Sequence, residues 1–500
     1  MKLAVGLTAL LCLAHAQEIL TPKPDPQPKI NGPRVYGCRP GHPFLYRIPV
    51  TGIRPIKFRV HALPGGLSLD PETGIIRGTA PSRPGEYKVT LIAANARGKD
   101  ERPFKIVVGD TLALTPPMGW NHWYTFYDRV SDQLFRSAAD AMISSGMADF
   151  GYQYVNIDDC WMMKPGSTDP MLSGSTRDGS GAIKPNGRFP DMKAVTAYIH
   201  EKGLKAGLYT SPGPLTCARY EGSYQHEEID ARTFAAWEFD FLKYDWCSYT
   251  KVAGGETLAD RKRPYEKMGA ILKALDRDIV LNLCQYGMSE VWKWGGATGQ
   301  CWRTTGDLGL EKDSRLPGFY SIAFKNAQHW EFAGPGRWND PDYMLIGVIG
   351  NAHSISDPPK RTSLTADEQY SYMSLWSLMA APLFFSGDIT KLDDFTLNVL
   401  CNAEVIDVNQ DPLGKQASIV RQSDDELVLS KPLEDGSVAV GLFNLTEAAR
   451  TLSISWSDTG LRGNVTARDV WRQKNLAPSR DMYSVQVPRH GVAFLRLMAQ

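Results

Sequence analysis

From residue 112 to 412 the chain repeats one pattern: a short apolar run that stops on polar or charged residues, then a segment with helical spacing. The first run closes on Met118-Gly119-Trp120. Ser131 then stands where a helix N-cap belongs, ahead of the stripe Leu134, Phe135, Ala138 and Met142. Tyr154-Val155-Asn156-Ile157 predicts a second strand, tipped by Asp158-Asp159. Residues 195–202 read as helix and 204–209 as the third strand, ending at Tyr209. The helix-like run 231–237 leads to Phe241-Leu242-Lys243-Tyr244-Asp245, a buried strand that stops on an acid. Residues 265–275 predict a helix, and 279–283 a fifth strand running into Cys284-Gln285. Trp302-Arg303-Thr304-Thr305 followed by Asp307 predicts the sixth, Trp338-Asn339-Asp340 the seventh and 380–385 the eighth. Eight alternating strand–helix units predict a (β/α)8 barrel over residues 111–412.

The pattern changes on either side. Residues 34–110 hold short alternating runs such as 87–93 and 104–108, separated by turn signals at Pro64-Gly65-Gly66, 70–74 and Pro84-Gly85. That spacing predicts an immunoglobulin-like β-sandwich. It carries no cluster of catalytic residues, and it serves either as a spacer, the favoured reading, or as a carbohydrate contact. After Gln410-Asp411-Pro412 the runs 426–429, 438–443 and 492–497 predict a C-terminal antiparallel β-domain over 413–500. Residues 17–33 hold Pro22, Pro24, Pro26, Pro28 and Pro33, the composition of an extended leader. Ahead of it, Met1-Lys2, the apolar run 3–13 and Ala14-His15-Ala16 predict a signal peptide cleaved before Gln17, and hence a secreted or periplasmic protein.

Composition narrows the function. Lys plus Arg and Asp plus Glu both number 55, so no basic field draws nucleic acid or an anionic membrane. Beyond the leader no apolar run is long enough to span a bilayer. No zinc-type cysteine array or nucleotide fingerprint occurs, so no metal or cofactor is expected. Export permits disulfides. Loss of Cys12 with the signal peptide leaves Cys38, Cys160, Cys217, Cys247, Cys284, Cys301 and Cys401, an odd number that leaves at least one unpaired within the chain.

A barrel gathers its strand C-termini on one face. Asp158, Asp159, Lys243, Asp245, Arg303, Asp307 and Asp340 are therefore expected to converge. Cleavage of a glycosidic bond needs two acids with different tasks, one ionised and one carrying a proton. Lys243 and Arg303 supply the positive charge that keeps a neighbouring carboxyl ionised, and an acid beside a first anion keeps its proton. Spacing alone does not say which acid does which.

These residues sit in runs that resemble glycoside hydrolase family 27, whose main activity is α-galactosidase. The runs include Thr115-Pro116-Pro117-Met118-Gly119-Trp120-Asn121-His122-Trp123, Asn156-Ile157-Asp158-Asp159-Cys160-Trp161, the 243–247 stretch, Trp302-Arg303-Thr304-Thr305-Gly306-Asp307 and Arg337-Trp338-Asn339-Asp340-Pro341-Asp342. The resemblance implies a retaining double displacement on α-galactosides, with Asp245 as nucleophile and Asp307 as general acid/base. It places Asp158, Asp159 and Lys243 on the sugar hydroxyls, and Arg303 on the 2-hydroxyl and Asp307. Trp120 and Trp123 become an aromatic wall, and Tyr209, Cys284, Gln285 and Asp340 further substrate contacts. It also implies a Cys217–Cys247 disulfide and leaves Cys284 and Cys301 as a second pair or two buried thiols. Gln285 stands where many members have Glu, and Tyr343 where many have Met. With Met288 not small either, the segment favours galactose over N-acetylgalactosamine. Other specificities on the same machinery remain alternatives: α-N-acetylgalactosaminidase, β-L-arabinopyranosidase or an α-glucan-cleaving relative. A non-catalytic sugar-binding protein is a further one, against which the intact acid pair argues.

Overall fold

The computed structural model describes residues 18–308, 315–350 and 357–499. The predicted signal peptide lies outside them. Eight parallel strands succeed one another in chain order: β1 (Met118–Asn121), β2 (Tyr154–Asn156), β3 (Lys205–Thr210), β4 (Phe241–Asp245), β5 (Val280–Cys284), β6 (Cys301–Arg303), β7 (Trp338–Asp340) and β8 (Leu383–Phe385). β8 returns to β1 with Leu383 opposite Met118. The remaining gap is closed beyond β7, where Met344 bridges Phe385 and its N–H donates to the Phe384 carbonyl at 2.8 Å. Every residue of β3, β4 and β5 is buried, as expected of a parallel sheet covered on both faces.

The covering helices are α1 (Asp132–Ser144), α2 (Met192–Glu201), α3 (Glu227–Ala236), α4 (Leu258–Lys273), α5 (Gly318–Ala327) and α6 (Ala366–Leu378). Ser131 caps α1 as predicted, its hydroxyl accepting the Leu134 N–H. α4 starts seven residues before the expected 265, because a Thr257–Asp260 capping box fixes its start where no apolar stripe marks it. β8 is shorter than 380–385. Ala380 has φ of 50°, and the N–H groups of Ala380 and Ala381 still serve the end of α6.

The N-terminal sandwich packs a four-stranded sheet on a three-stranded one around Phe44, Tyr46, Ile76, Leu91, Phe104 and Ile106. It grips the end of the barrel where the strands begin. Arg39, with 8% of its side chain exposed, binds Asp278 at 2.7 Å and donates to the carbonyls of Lys273 and Arg277, both at 2.6 Å. Arg77 donates to the carbonyls of His200 and Glu201, both at 2.8 Å. These two arginines thus satisfy carbonyls left over at the C-termini of α4 and α2. Lys205, opening β3, donates to the Tyr36 phenol. The leader is pinned as well: Lys29–Ile30 pairs with Val50–Thr51, and the Leu20 N–H donates to Tyr370.

The C-terminal domain forms a six-stranded and a two-stranded antiparallel sheet. It presses on α6, whose residues from Glu368 onward are all buried. Trp471 anchors the contact, its ring 4.6 Å from Tyr370 and its indole donating to Ser374.

Candidate active site

Alternation along β4 sends Lys243 and Asp245 to the same side. Lys243 pairs with Tyr209 of β3, and Asp245 with Cys284 of β5. The second acid-tipped strand meets them: Asp158 Oδ2 accepts Lys243 Nζ at 3.0 Å, Tyr343 OH at 3.0 Å and Asn121 Nδ2 at 2.8 Å. Burial pushes the Asp158 carboxyl up, but Lys243, His122 and the Asp159 N–H outweigh it and hold the carboxyl below its ordinary value. Lys243 also lies over the rings of Tyr209 and Tyr343, 5.2 and 5.3 Å from their centroids.

Asp245 is differently served. Its Oδ1 accepts the Tyr286 phenol at 2.6 Å and its Oδ2 the Tyr209 phenol at 3.2 Å, while Lys243 Nζ stands off at 3.9 Å. Burial dominates and raises the carboxyl to about 6; Lys243 and Tyr286 oppose the rise, and Asp307 adds to it. Asp307 therefore lies within electrostatic reach of Asp245. Its side chain is 30% exposed, against 7% for Asp245, so it stands nearer the mouth. Arg303 Nη2 holds Asp307 Oδ1 at 3.1 Å and donates to the Gly306 carbonyl at 2.8 Å.

One expectation is corrected. Trp120 is no part of a wall: it has no exposed surface, donates to the Gly387 carbonyl and packs 5.8 Å from Phe135. Trp123 is half-buried, its ring 5.0 Å from Tyr127. Asp159 is buried beside Asp158, its oxygens accepting the Cys160 and Ala218 N–H groups; burial raises it to about 7. Asp340 braces the barrel interior through Asn282 Nδ2 at 2.7 Å and the Asp342 N–H at 2.9 Å. Two residues beyond this strand, Asp342 pairs with Arg303 at 3.1 Å. Its oxygen Oδ2 also accepts the Tyr124 phenol at 2.6 Å and the Leu308 N–H at 3.0 Å.

Cys217 and Cys247 are joined as expected. Cys284 and Cys301 are not; both are free and buried. Cys301 lies opposite Asn282, two residues short of Cys284, and packs with Trp338 and Ala380. The Cys284 thiol instead lies 3.9 Å from Arg303 Nη1. Gln285 turns back on its own loop, donating to the Met288 carbonyl, and its Oε1 has no hydrogen-bond partner among the described residues. Tyr286 and Asp342 were not among the expected site residues. Asp342 had a visible signal, a second acid across Pro341 from Asp340. Tyr286 had none, since its aim depends on a backbone φ of 62°.

This acid-lined barrel mouth has known counterparts. The family model "Alpha galactosidase A" (Melibiase_2) matches residues 115–411. The models for the α-galactosidase C-terminal β-sandwich and for an Ig domain match 423–497 and 29–109. The α-galactosidase of Cyamopsis tetragonoloba is 38% identical over 76% of this chain and 85% of its own. A candidate α-galactosidase/melibiase of Bacteroides fragilis, solved by crystallography, is 37% identical with a TM-score of 0.86, covering 95% of this chain and 98% of its own. α-Galactosidase I of Mortierella vinacea superposes with a TM-score of 0.70 at 29% identity, covering 79% of this chain and 99% of its own. The chain is a glycoside hydrolase and belongs to family 27, the α-galactosidase family.

Proposed function

We propose that the chain removes terminal α-galactosyl residues by a retaining double displacement. One observation carries this reading: a deeply buried carboxylate held by two phenols lies within electrostatic reach of a more exposed carboxylate held by an arginine. In the first step an Asp245 oxygen bonds to the anomeric carbon as the glycosidic C–O bond breaks. Asp307 passes its proton to the departing oxygen. In the second step water attacks the same carbon and gives a proton to Asp307, and the ester to Asp245 breaks.

Asp158, held ionised by Lys243, accepts hydroxyls of the galactose ring, and Lys243 donates to them. A site that pairs an axial 4-hydroxyl leaves these buried groups unpaired with glucose, which sets the preference. The Saccharomyces cerevisiae α-galactosidase solved with raffinose, 26% identical with a TM-score of 0.67, supports a galactoside substrate. Gln285 and Met288 keep bulk in the segment where an N-acetyl group needs room. The signal-peptide pattern of residues 1–16 and the Cys217–Cys247 disulfide support export. A panel of 4-nitrophenyl glycosides tests specificity, with the α-galactoside expected to lead. Proton NMR of the first product tests stereochemistry: α-galactose is expected, and β-galactose would overturn the double displacement.

A further inference from the structure

We propose that Tyr286 is a positioning residue for Asp245, and that the Cys217–Cys247 disulfide is the backstop of the clamp it forms with Tyr209. The inference rests on Asp245 being the nucleophile. Each carboxylate oxygen has its own phenol, Oδ1 from Tyr286 at 2.6 Å and Oδ2 from Tyr209 at 3.2 Å. Two donors on two oxygens fix the plane of the carboxylate, so the rotation that would swap the oxygens costs both bonds. Behind each phenol stands one sulfur of the disulfide. Tyr209 OH is 3.1 Å from Cys247 Sγ, and Tyr286 OH is 3.5 Å from Cys217 Sγ.

The loop holds Tyr286 in place at a cost. Tyr286, Ser289 and Glu290 all have positive φ, at 62°, 52° and 51°, a conformation that side chains other than glycine adopt with strain. Gly287 between them cannot be replaced, because a Cβ there would meet the Thr304 carbonyl at 2.3 Å. Such strain persists only where surrounding structure over-determines it. Here Gln285 ties to the Met288 carbonyl, and the Trp294 indole to the Ser289 carbonyl at 3.0 Å.

The groups facing Asp245 are Lys243 of its own strand, Tyr209 of β3, Asp158 beyond β2, Cys284 and Tyr286 from β5 and its loop, Tyr265 of α4, and Asp307 beyond β6. Of these, Lys243 and the phenols favour the anion, and the acids disfavour it. Removing one phenol donor therefore makes Asp245 harder to ionise.

Tyr286→Phe keeps the ring and deletes the donor. Its kcat/KM for 4-nitrophenyl α-galactoside is expected to fall about tenfold at pH 5 and less at pH 7.5, as the acidic limb moves up by up to about one unit. KM should stay within about twofold, since the ring remains. The double variant Cys217→Ala, Cys247→Ala should move the limb in the same direction by less. An acidic limb unchanged in Tyr286→Phe, or a loss confined to KM, overturns the positioning role. A wild-type chain that hydrolyses no α-galactoside overturns the nucleophile assignment and this inference with it. An active wild type with an unmoved limb overturns this inference alone.

Discussion

The same strand, β4, carries a buried acid at each end, and the two are treated in opposite ways. Asp240, just ahead of the strand, is fully answered. Its Oδ1 accepts Arg277 at 2.7 Å, and its Oδ2 lies 2.8 Å from His200 Nε2 and 2.9 Å from the Ala206 N–H. Burial pushes this carboxyl up, but His200 and Arg277 overwhelm it and hold it far below the usual range. Asp245, five residues on, is just as buried, yet its direct hydrogen bonds are to phenols, and it is raised to about 6. A barrel can afford full compensation at the end where strands begin, because nothing has to happen there. At the other end a carboxylate already satisfied by arginine would have little reason to attack carbon. Reactivity here is incomplete pairing, maintained by the rest of the fold.

The sharpest way to break the contrast is to neutralise each acid in turn. Asp245→Asn should lower kcat on the nitrophenyl galactoside by about 10,000-fold or more while the protein melts no lower than wild type. Asp240→Asn should do the reverse. It leaves Arg277 and His200 without their carboxylate, costs about 3 kcal/mol in denaturant unfolding, and keeps kcat of the folded fraction within about twofold. Equal losses of activity in the two variants would erase the distinction.

Asp307→Asn should lower kcat/KM about 100-fold or more on an oligosaccharide, whose leaving alcohol needs a proton, and much less on a nitrophenyl glycoside. A uniform loss on both substrates would argue against proton donation. Arg39→Ala, at the closed end, should lower stability by about 2 kcal/mol in the same unfolding assay and leave kcat/KM within about twofold. The smallest effect concerns pH. Asp245 has a folded pKa near 6, above its value in the unfolded chain, so its ionisation costs stability above pH 6 and that cost is relieved as pH falls through 6. The stability advantage of Asp245→Asn over wild type should therefore shrink by ~1 kcal/mol between pH 7 and pH 5. Wild-type activity falls over the same interval. Asp240, depressed instead, contributes stability above about pH 4 that is lost only below it.

The barrel was legible because each strand is an apolar run with a polar stop, and that signal survives without any partner in view. Asp158, Lys243, Asp245 and Arg303 were legible for the same reason. The wall role of Trp120 came with the resemblance alone, and nothing in its neighbouring residues says that it faces Phe135 rather than a sugar. The meeting of Asp342 with Arg303 depends on a φ of 90° at Asp342, which no spacing reveals. The clamp on the closed end was illegible altogether. Arg39 and Asp278 lie 239 positions apart, and no local pattern links them.

That separation sets an order of events during synthesis. The immunoglobulin-like module can fold long before residues 272–278 leave the ribosome, since its own core is complete by Val108. Arg39 and Arg77 thus belong to a domain whose own core is complete without the barrel, and from it they bind the carbonyl ends of α4 and α2.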